Sequence, residues 1–494
     1  MDGPQTELEE LKKRSSRYLK KPIEQVADLP DPPVKTFRGV LKMLGPAAII
    51  TAAGVGAGEL LTGPVAIIRY GPYLMWITVL GVLFQTILNA EAARYTVVTG
   101  ETIWQGFARL FPGPKFWGPV WIILFFIQNF WPGWAAATAT GIAFLYLGRV
   151  PGAADKGVVI TIGIILFLLT AALLLFSLGG RIERLMEVIS FGEIVFTLIV
   201  FVVALMVAPP NLLLDLIKGS VAFGAIPEGV DWVLISAFAG YVGSSGTVAL
   251  LASNYYRDRG YGMGAKMGYI PGLVGGKPMR IAEVGYYPKL DEENKKRFRG
   301  WMMLVNLDQS VIFGVMNYIG MLAPVALAAA IVPRGTKISE WGVVGQIASY
   351  GAKIAPWMPI LIVLIWCWLL WTTQLSSVER IPRFLTDITL SIGPEKLKKI
   401  EDVRKLYYPY LLIFSVLAII AMTQVQPFYL VIAGAVVSSF NFFLGGLLVC
   451  LVNMRLLPKD YRPSLWRLII LAIGIVFYGY LSYQVFLRQV LGLR

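Results

Sequence analysis

Histidine is absent from the 494-residue sequence, and cysteine occurs only twice. Without histidine, the chain lacks the commonest imidazole metal ligand and the residue best suited to titrate near neutral pH. No Ser/His/Asp, Cys/His or phosphate-cradling arrangement of an enzyme active site is present. Cys367 and Cys450 lie inside apolar runs, where a small buried hydrophobe is the ordinary role, so no disulfide framework is expected. These absences predict a protein that is not an enzyme and that uses no cofactor.

Charge is also scarce, at 15% of residues, while hydrophobic residues make up 56%. Soluble domains carry roughly 25% charged residues, and apolar stretches near the ~20 residues that span a bilayer recur along this whole chain. We therefore predict an all-α membrane protein with about eleven transmembrane helices, whose main partner is the lipid bilayer. The predicted spans are residues 44–69, 73–97, 118–148, 157–179, 186–208, 230–253, 301–332, 355–378, 407–423, 427–453 and 464–487.

Lysine and arginine outnumber the acidic residues and give a net charge of +14. Most of them fall in segments that lie in the cytoplasm if the N-terminus does, above all in residues 255–300. This pattern is typical of a multi-pass protein of the plasma (inner) membrane, so it does not indicate nucleic-acid binding. Residues 1–43 lack the apolar core of a signal peptide and are predicted to form a cytoplasmic tail. The oligomeric state does not follow from the sequence.

Two of the predicted spans are interrupted by glycines. The first reads TAAGVGAGE over residues 51–59, and the sixth reads AGYVGSSGT over residues 239–247. Glycine lowers the cost of leaving the helix, and freed backbone groups at membrane depth are tolerated where they line a cavity. The alternative is close helix packing through small residues. Interrupted spans placed five apart are typical of two inverted five-helix repeats with a substrate site between them.

This pattern divides the chain into a tail and one transmembrane domain, residues 44–494. Repeat one covers about 44–208, repeat two about 230–453, and an extra helix about 464–487.

Several short motifs resemble the Nramp metal-transporter family within the LeuT-like, amino acid–polyamine–organocation superfamily. They are Gly45-Pro46, YGPYLMW at 70–76, AARYTVVTGE at 92–101, QLSS at 374–377 and SSFNF at 438–442. The resemblance implies a LeuT-like 5+5 inverted repeat with broken helices 1 and 6. It also implies secondary active transport by alternating access, with the substrate bound at the two breaks.

The chain departs from the family where the family binds metal. The family's Asp-Pro-Gly-Asn corresponds to Gly56-Ala57-Gly58-Glu59, and its Met-Pro-His corresponds to Gly243-Ser244-Ser245. Loss of the methionine thioether disfavours soft transition metals, so we expect a hard cation such as magnesium. A small organic solute, such as an amine or amino acid, is the alternative. A channel or a membrane enzyme is the alternative of another class.

Glu59 is the strongest candidate site residue, because a carboxylate inside the bilayer is costly and usually serves a cation or proton pathway. We expect it to be the metal ligand; the alternative is a locked pair with a basic residue, or burial in the protonated form within the helix bundle. The expected substrate site comprises Gly56, Ala57, Glu59, Tyr241, Gly243, Ser244, Ser245 and Asn441.

A second set of residues could serve a coupling ion. By analogy with sodium-coupled relatives, Gly54 and Val55 of the first span could join Thr373, Ser376 and Ser377 of the eighth. Asp308 could border an ion path, or it could simply favour the positive end of a helix dipole.

Overall fold

The computed structural model describes residues 4–19, 21–54, 56, 58–176, 181–244, 246–267, 284–398, 400, 402, 404–489 and 491–492. In this part of the chain the structure is helical, apart from loops and one two-stranded sheet. The predicted all-α class is therefore confirmed.

The helical segments follow the order of the predicted spans, and we number them accordingly. Span 1 covers residues 46–70, as helices Pro46–Gly54 and Gly63–Tyr70 around a π-helical turn, Gly58–Thr62. Span 6 covers residues 232–258, as helices Trp232–Gly240, Gly246–Leu250 and Ala252–Asp258. The other spans are Trp76–Thr99 (2), Pro114–Leu147 (3), Lys156–Phe176 (4), Arg181–Val207 (5), Glu292–Ile331 (7), Met358–Ile392 (8), Arg404–Gln424 (9), Pro427–Leu456 (10) and Leu465–Gln489 (11).

Shorter elements connect these spans. They are the helices Pro4–Ser16, Phe37–Met43, Ile103–Ala108, Pro210–Ser220, Val343–Ser349 and Glu395–Lys398, and the parallel strands Gln25–Ala27 (β1) and Tyr286–Pro288 (β2).

Eight helices in the described part of the chain are long and apolar enough to cross a membrane. A ninth candidate is the pair Val195–Val207 and Pro210–Ser220, which bends by 120°. Spans 1 and 6 are built from shorter helices, and none of these is long enough by itself to be counted among the eight. The protein is a multi-pass membrane protein, and the count of eleven stays a prediction.

Span 8 is longer than the sequence predicts. Its helix runs to Ile392, whereas the predicted span ends at residue 378. The prediction stopped there because Glu379 and Arg380 follow, and charges usually mark the end of an apolar span. In the structure Arg380 is only 3% exposed, so the helix continues with this charge turned into the protein.

The interrupted spans lie among the other helices. Span 6 packs against spans 10 and 11, span 5 packs against span 7, and span 8 packs against span 3. Outer helices such as span 11 expose apolar side chains, among them Ile469, Ile473 and Val476, as expected for a surface in contact with lipid.

The described part of residues 4–31, which we call the N-terminal strap, packs against the ends of several spans. Strand β1 in the strap pairs with β2, which precedes span 7. Asn294, Arg297 and Trp301 of span 7 hydrogen-bond to the backbone of residues 29 and 30. The predicted tail is therefore folded onto the membrane domain over these residues.

A buried ion pair fixes the strap to the segment between spans 2 and 3. Arg109 donates to both carboxylate oxygens of Glu101, at 2.5 and 2.8 Å, and both side chains are fully buried. The same guanidinium donates to the carbonyls of Ser15 and Lys21, each at 2.7 Å. Burial raises the pKa of the Glu101 carboxyl, but the charge and hydrogen bonds of Arg109 outweigh burial, so the net pKa is lowered.

We expect Arg109→Ala to destabilise the protein by about 3 to 5 kcal/mol, because Glu101 would remain buried without its counter-charge. Arg14→Ala is the matched control, since the Arg14–Glu10 pair is half-exposed and should leave stability unchanged. Thermal unfolding of the detergent-solubilised protein measures both variants. Equal melting temperatures for the two variants would contradict the structural role of the Arg109 pair.

Candidate functional site

The break in span 1 is closed by a carboxylate from the same span. The helix ends at Gly54, and the backbone N–H of Gly56 donates to Oε2 of Glu59 at 2.9 Å. The carboxylate also lies close to the backbone N–H of Gly243, in the break of span 6. Glu59 is fully buried, and its Oε1 has no hydrogen-bond partner among the residues that the structure describes. One oxygen is therefore held in place while the other remains available.

Two glycines let span 1 pack closely against its neighbours, Gly56 against spans 3 and 8 and Gly58 against the break of span 6. A Cβ at Gly56 would lie 2.9 Å from Oγ1 of Thr373 and 3.2 Å from Nε1 of Trp134. A Cβ at Gly58 would collide with the backbone of Tyr241. Close packing through small residues and an interrupted helix are thus both present in span 1.

The break in span 6 is held by side chains from neighbouring spans. The hydroxyl of Ser438, in span 10, donates to the carbonyl of Gly240 at 2.7 Å and accepts from the N–H of Gly246 at 2.6 Å. It therefore joins the end of one helix to the start of the next. Gln128, in span 3, accepts from the N–H of Thr247 at 3.0 Å, which satisfies a second amide at this helix start.

Gln85 of span 2 binds the middle of the same break. Its amide donates to the carbonyl of Val242 at 2.5 Å and accepts from the N–H of Ser244 at 2.9 Å. Gly243, between them, has φ of +79°, a left-handed conformation that side-chain-bearing residues rarely adopt. Ser244 is turned toward span 2, so its hydroxyl pairs with Gln85.

Two aromatic rings form one wall beside the breaks. Trp134 of span 3 stacks on Tyr241, with ring centroids 6.2 Å apart and an interplanar angle of 22°. Tyr241 packs along Gly58, and the Trp134 indole lies next to Gly56. The site therefore combines a single carboxylate with aromatic faces, a surface suited to a cation.

Asn441 of the expected substrate site and Asp308 of the expected ion path both hydrogen-bond to other parts of the helix bundle. Asn441 donates to Oε1 of Gln128 at 2.8 Å, and so steadies the side chain that caps span 6. Asp308 accepts from the N–H groups of Gly45 and Ala47, at 3.2 and 2.9 Å, at the start of span 1. The sequence offered Asp308 as a residue at the start of span 7, but it lies inside span 7 and binds the start of a different helix, that of span 1.

The expected coupling-ion residues are brought together only in part. Gly54 ends the first helix of span 1, and Thr373 lies beside Gly56. Ser376 is half-buried, and the hydroxyl of Ser377 accepts from Nη2 of Arg380 at 3.3 Å. A sodium ion bound to Ser377 would lie close to this guanidinium, and like charges at such distances repel strongly.

Three expected site residues, Val55, Ala57 and Ser245, lie outside the described residues.

The sequence prediction missed two buried charged residues near the breaks. Arg380 is 3% exposed, and its Nε and Nη1 have no hydrogen-bond partner within the described chain. Glu193 of span 5 is 4% exposed, and its carboxyl lies within hydrogen-bonding reach of the Thr372 hydroxyl. Glu193 falls inside the predicted span 5, where a lone acid is already a signal. Arg380 falls just beyond the predicted end of span 8.

No group of three or more Asp, Glu, Cys or His side chains that could hold a metal ion is found in the described part of the chain.

Comparison with known proteins supplies an independent indication of fold. No protein-family model matches the chain. A stretch of 97 residues, 20% of the chain, is 30% identical to the divalent metal cation transporter MntH of Bacillus subtilis (strain 168), and it spans only 23% of that protein.

Two solved structures match over most of the chain. A mutant of the Eremococcus coleocola manganese transporter superposes with a TM-score of 0.62 at 14% identity, covering 96% of this chain and 92% of that one. MhsT in complex with L-phenylalanine superposes with a TM-score of 0.50 at 14% identity, covering 88% and 98%. At this identity the likeness shows the fold alone, which is the predicted LeuT-like fold.

We expect Ser438→Ala to lower the melting temperature of the protein, because it leaves two buried backbone groups without this partner, at about 1 to 3 kcal/mol each. Ser439→Ala is the matched control: Ser439 donates to the carbonyl of Ser236, which already lies inside a helix. Thermal unfolding in detergent compares the two. If the melting temperature fell by the same amount in Ser438→Ala and Ser439→Ala, Ser438 would have no special role in holding the break.

Proposed function

We propose that this protein is a secondary active transporter that works by alternating access and binds a small cation at Glu59. The observation that carries the proposal is the carboxylate itself. Its Oε2 is fixed by the N–H of Gly56, and its buried Oε1 lacks a partner among the described residues. An ionised oxygen at membrane depth is costly unless a counter-charge is present, and a bound cation supplies one.

The fold supports transport as the activity. The solved structures with a similar fold are named as a manganese transporter and as MhsT bound to L-phenylalanine. Interrupted helices that meet near the bilayer midplane are the usual substrate sites of transporters built this way. The contact between Gly58 and Tyr241 brings the two interruptions together here.

An organic ammonium ion is the substrate class that fits these residues best. Glu59 offers one negative charge, which matches a singly charged cation. The stacked rings of Trp134 and Tyr241 stand beside it, and aromatic faces attract ammonium groups.

A hard metal ion such as magnesium is the second candidate. It is favoured by the unpartnered carboxylate oxygen and by the names of the relatives, which transport divalent metal and manganese. Magnesium usually keeps several waters and is held by one or two carboxylates. The described residues contain no group of three or more acidic, Cys or His side chains that could hold such an ion.

The orientation of the chain is also part of the proposal. The excess of lysine and arginine in residues 1–43 and 255–300 supports a cytoplasmic N-terminus in a plasma membrane. Residues 44–494 then form one transmembrane domain, with repeats at about 44–208 and 230–453 and an extra helix at about 464–487.

We expect Glu59→Gln to weaken cation binding at least about tenfold, because the amide removes the negative charge that is proposed to meet the cation. The measurement is saturable uptake into proteoliposomes of butylamine, magnesium, manganese and calcium, each tested separately. Glu228→Gln is the matched control, since Glu228 is exposed in a loop.

Glu59-dependent uptake of butylamine would support the ammonium proposal. Glu59-dependent uptake of magnesium without butylamine would replace it by the metal candidate. Uptake that is equal in wild type and Glu59→Gln, for every cation, would overturn the site.

A further inference from the structure

We infer that Arg380 receives a carboxylate of the transported solute, so that the substrate is a small zwitterion bound between Glu59 and Arg380. This inference rests on the proposed function and names its substrate class. It assigns an anion-binding subsite to span 8.

Arg380 lies on the face of span 8 that meets the breaks. Thr373, Ser377 and Arg380 follow one another at helical spacings of four and three residues, which places them along one stripe. Thr373 is the first residue of this stripe along the helix, and it lies beside Gly56. The guanidinium reaches back to the hydroxyl of Ser377, so it lies roughly 6 Å along the helix axis from Thr373, at 1.5 Å per residue.

The guanidinium has more donors than partners. Nη2 donates to Ser377, while Nε and Nη1 lack partners in the described chain. A buried charge left in this state is unfavourable, and an oxyanion is the group that relieves it. The planar N–H groups of arginine match the two oxygens of a carboxylate.

Nearby acids do not satisfy these donors. Glu193 and Glu379 are the acidic side chains close enough to act on the charge of Arg380, together with the hydroxyls of Tyr241 and Tyr255. Glu379 faces Arg383, at 3.8 Å, and the Glu193 carboxyl faces Thr372. Nε and Nη1 of Arg380 therefore have no acidic hydrogen-bond partner among the described residues, and Oε1 of Glu193 also lacks a hydrogen-bond partner there.

Tyr241 connects the two charged groups. Its backbone packs against Gly58, next to Glu59, and its side chain is among the neighbours of Arg380. A solute lying along Tyr241 would present an ammonium group to Oε1 of Glu59 and a carboxylate to Arg380. Its two opposite charges would then each find a buried partner.

The test compares solutes that share one carbon chain. Binding to the purified full-length protein is measured by isothermal titration for 4-aminobutyrate, butylamine and butyrate, for the equivalent sets with two and six carbons, and for the twenty L-α-amino acids. The variants are Arg380→Gln, Arg380→Lys, Glu59→Gln and the control Arg299→Gln, whose side chain is 72% exposed.

We expect at least one zwitterion to bind wild type about tenfold more tightly than the amine of the same chain, because hydrogen bonds to a charged group contribute that much. Arg380→Gln should remove this advantage and leave amine binding unchanged. Arg380→Lys should retain part of it, because the charge remains but the planar fork is lost. Glu59→Gln should weaken both ligands, and Arg299→Gln neither.

Equal binding of zwitterions and amines by wild type would overturn the role of Arg380 and leave the cation site standing. This comparison needs no variant, so it holds even if Arg380→Gln does not fold. If Arg380→Gln weakened the binding of the zwitterion and of the amine equally, this result would also overturn the role of Arg380. Binding of none of these solutes would overturn both the zwitterion and the ammonium proposal.

Discussion

Every backbone N–H and C=O at membrane depth needs a partner, and the rest of this structure is arranged around meeting that need at two interrupted helices. In span 1, Glu59 accepts from Gly56, while the indole of Trp366 donates to the carbonyl of Leu60, which the π-helical turn leaves exposed. In span 6, the hydroxyl of Ser438 binds both sides of the gap. Side chains thus do for the breaks what helical hydrogen bonding does elsewhere.

These partners come from many helices, which makes the geometry of the site a property of the whole bundle. Spans 2, 3, 8 and 10 each contribute a side chain to one of the two breaks. Span 7 contributes Asp308, which holds the start of span 1. A shift of any one of these helices would move a hydrogen-bond partner of the unwound backbone, so the geometry of the breaks depends on how the helices pack.

The sequence was sufficient for the fold class. The helices that end at Gly54 and Gly240 also end within the glycine clusters that the sequence singled out, because such clusters in an otherwise apolar span are a local signal. Glu59 stood out as a candidate, since a carboxylate inside a span is conspicuous by itself, and its role stays a prediction. The sequence did not reveal how each helix is rotated about its axis, and therefore which of its side chains face the other helices and which face the site. Ser244 and Asn441 were expected at the site, but they face Gln85 and Gln128.

The missed arginine has a related physical cause. A charge near the end of an apolar run usually marks the water interface, and composition alone does not reveal that the helix continues. Arg380 is buried because neighbouring spans cover this part of span 8, and tertiary packing of this kind is invisible in a single run of residues. The N-terminal strap escaped prediction for the same reason, since its partners lie more than 80 residues away along the chain.

A buried carboxylate and a buried guanidinium that belong to the protein have an electrical consequence. In the proposed transport cycle, Glu59 and Arg380 would stay with the protein when the site turns from one side of the membrane to the other. With both groups charged, the empty site would carry no net charge, a site loaded with a single monovalent cation would carry one positive charge, and a site loaded with a zwitterion would carry none. Each elementary charge that crosses the whole membrane is worth about 2.3 kcal/mol per 100 mV. The resting potential would therefore act on the loaded protein if the substrate is a cation, and on neither step of the cycle if it is a zwitterion.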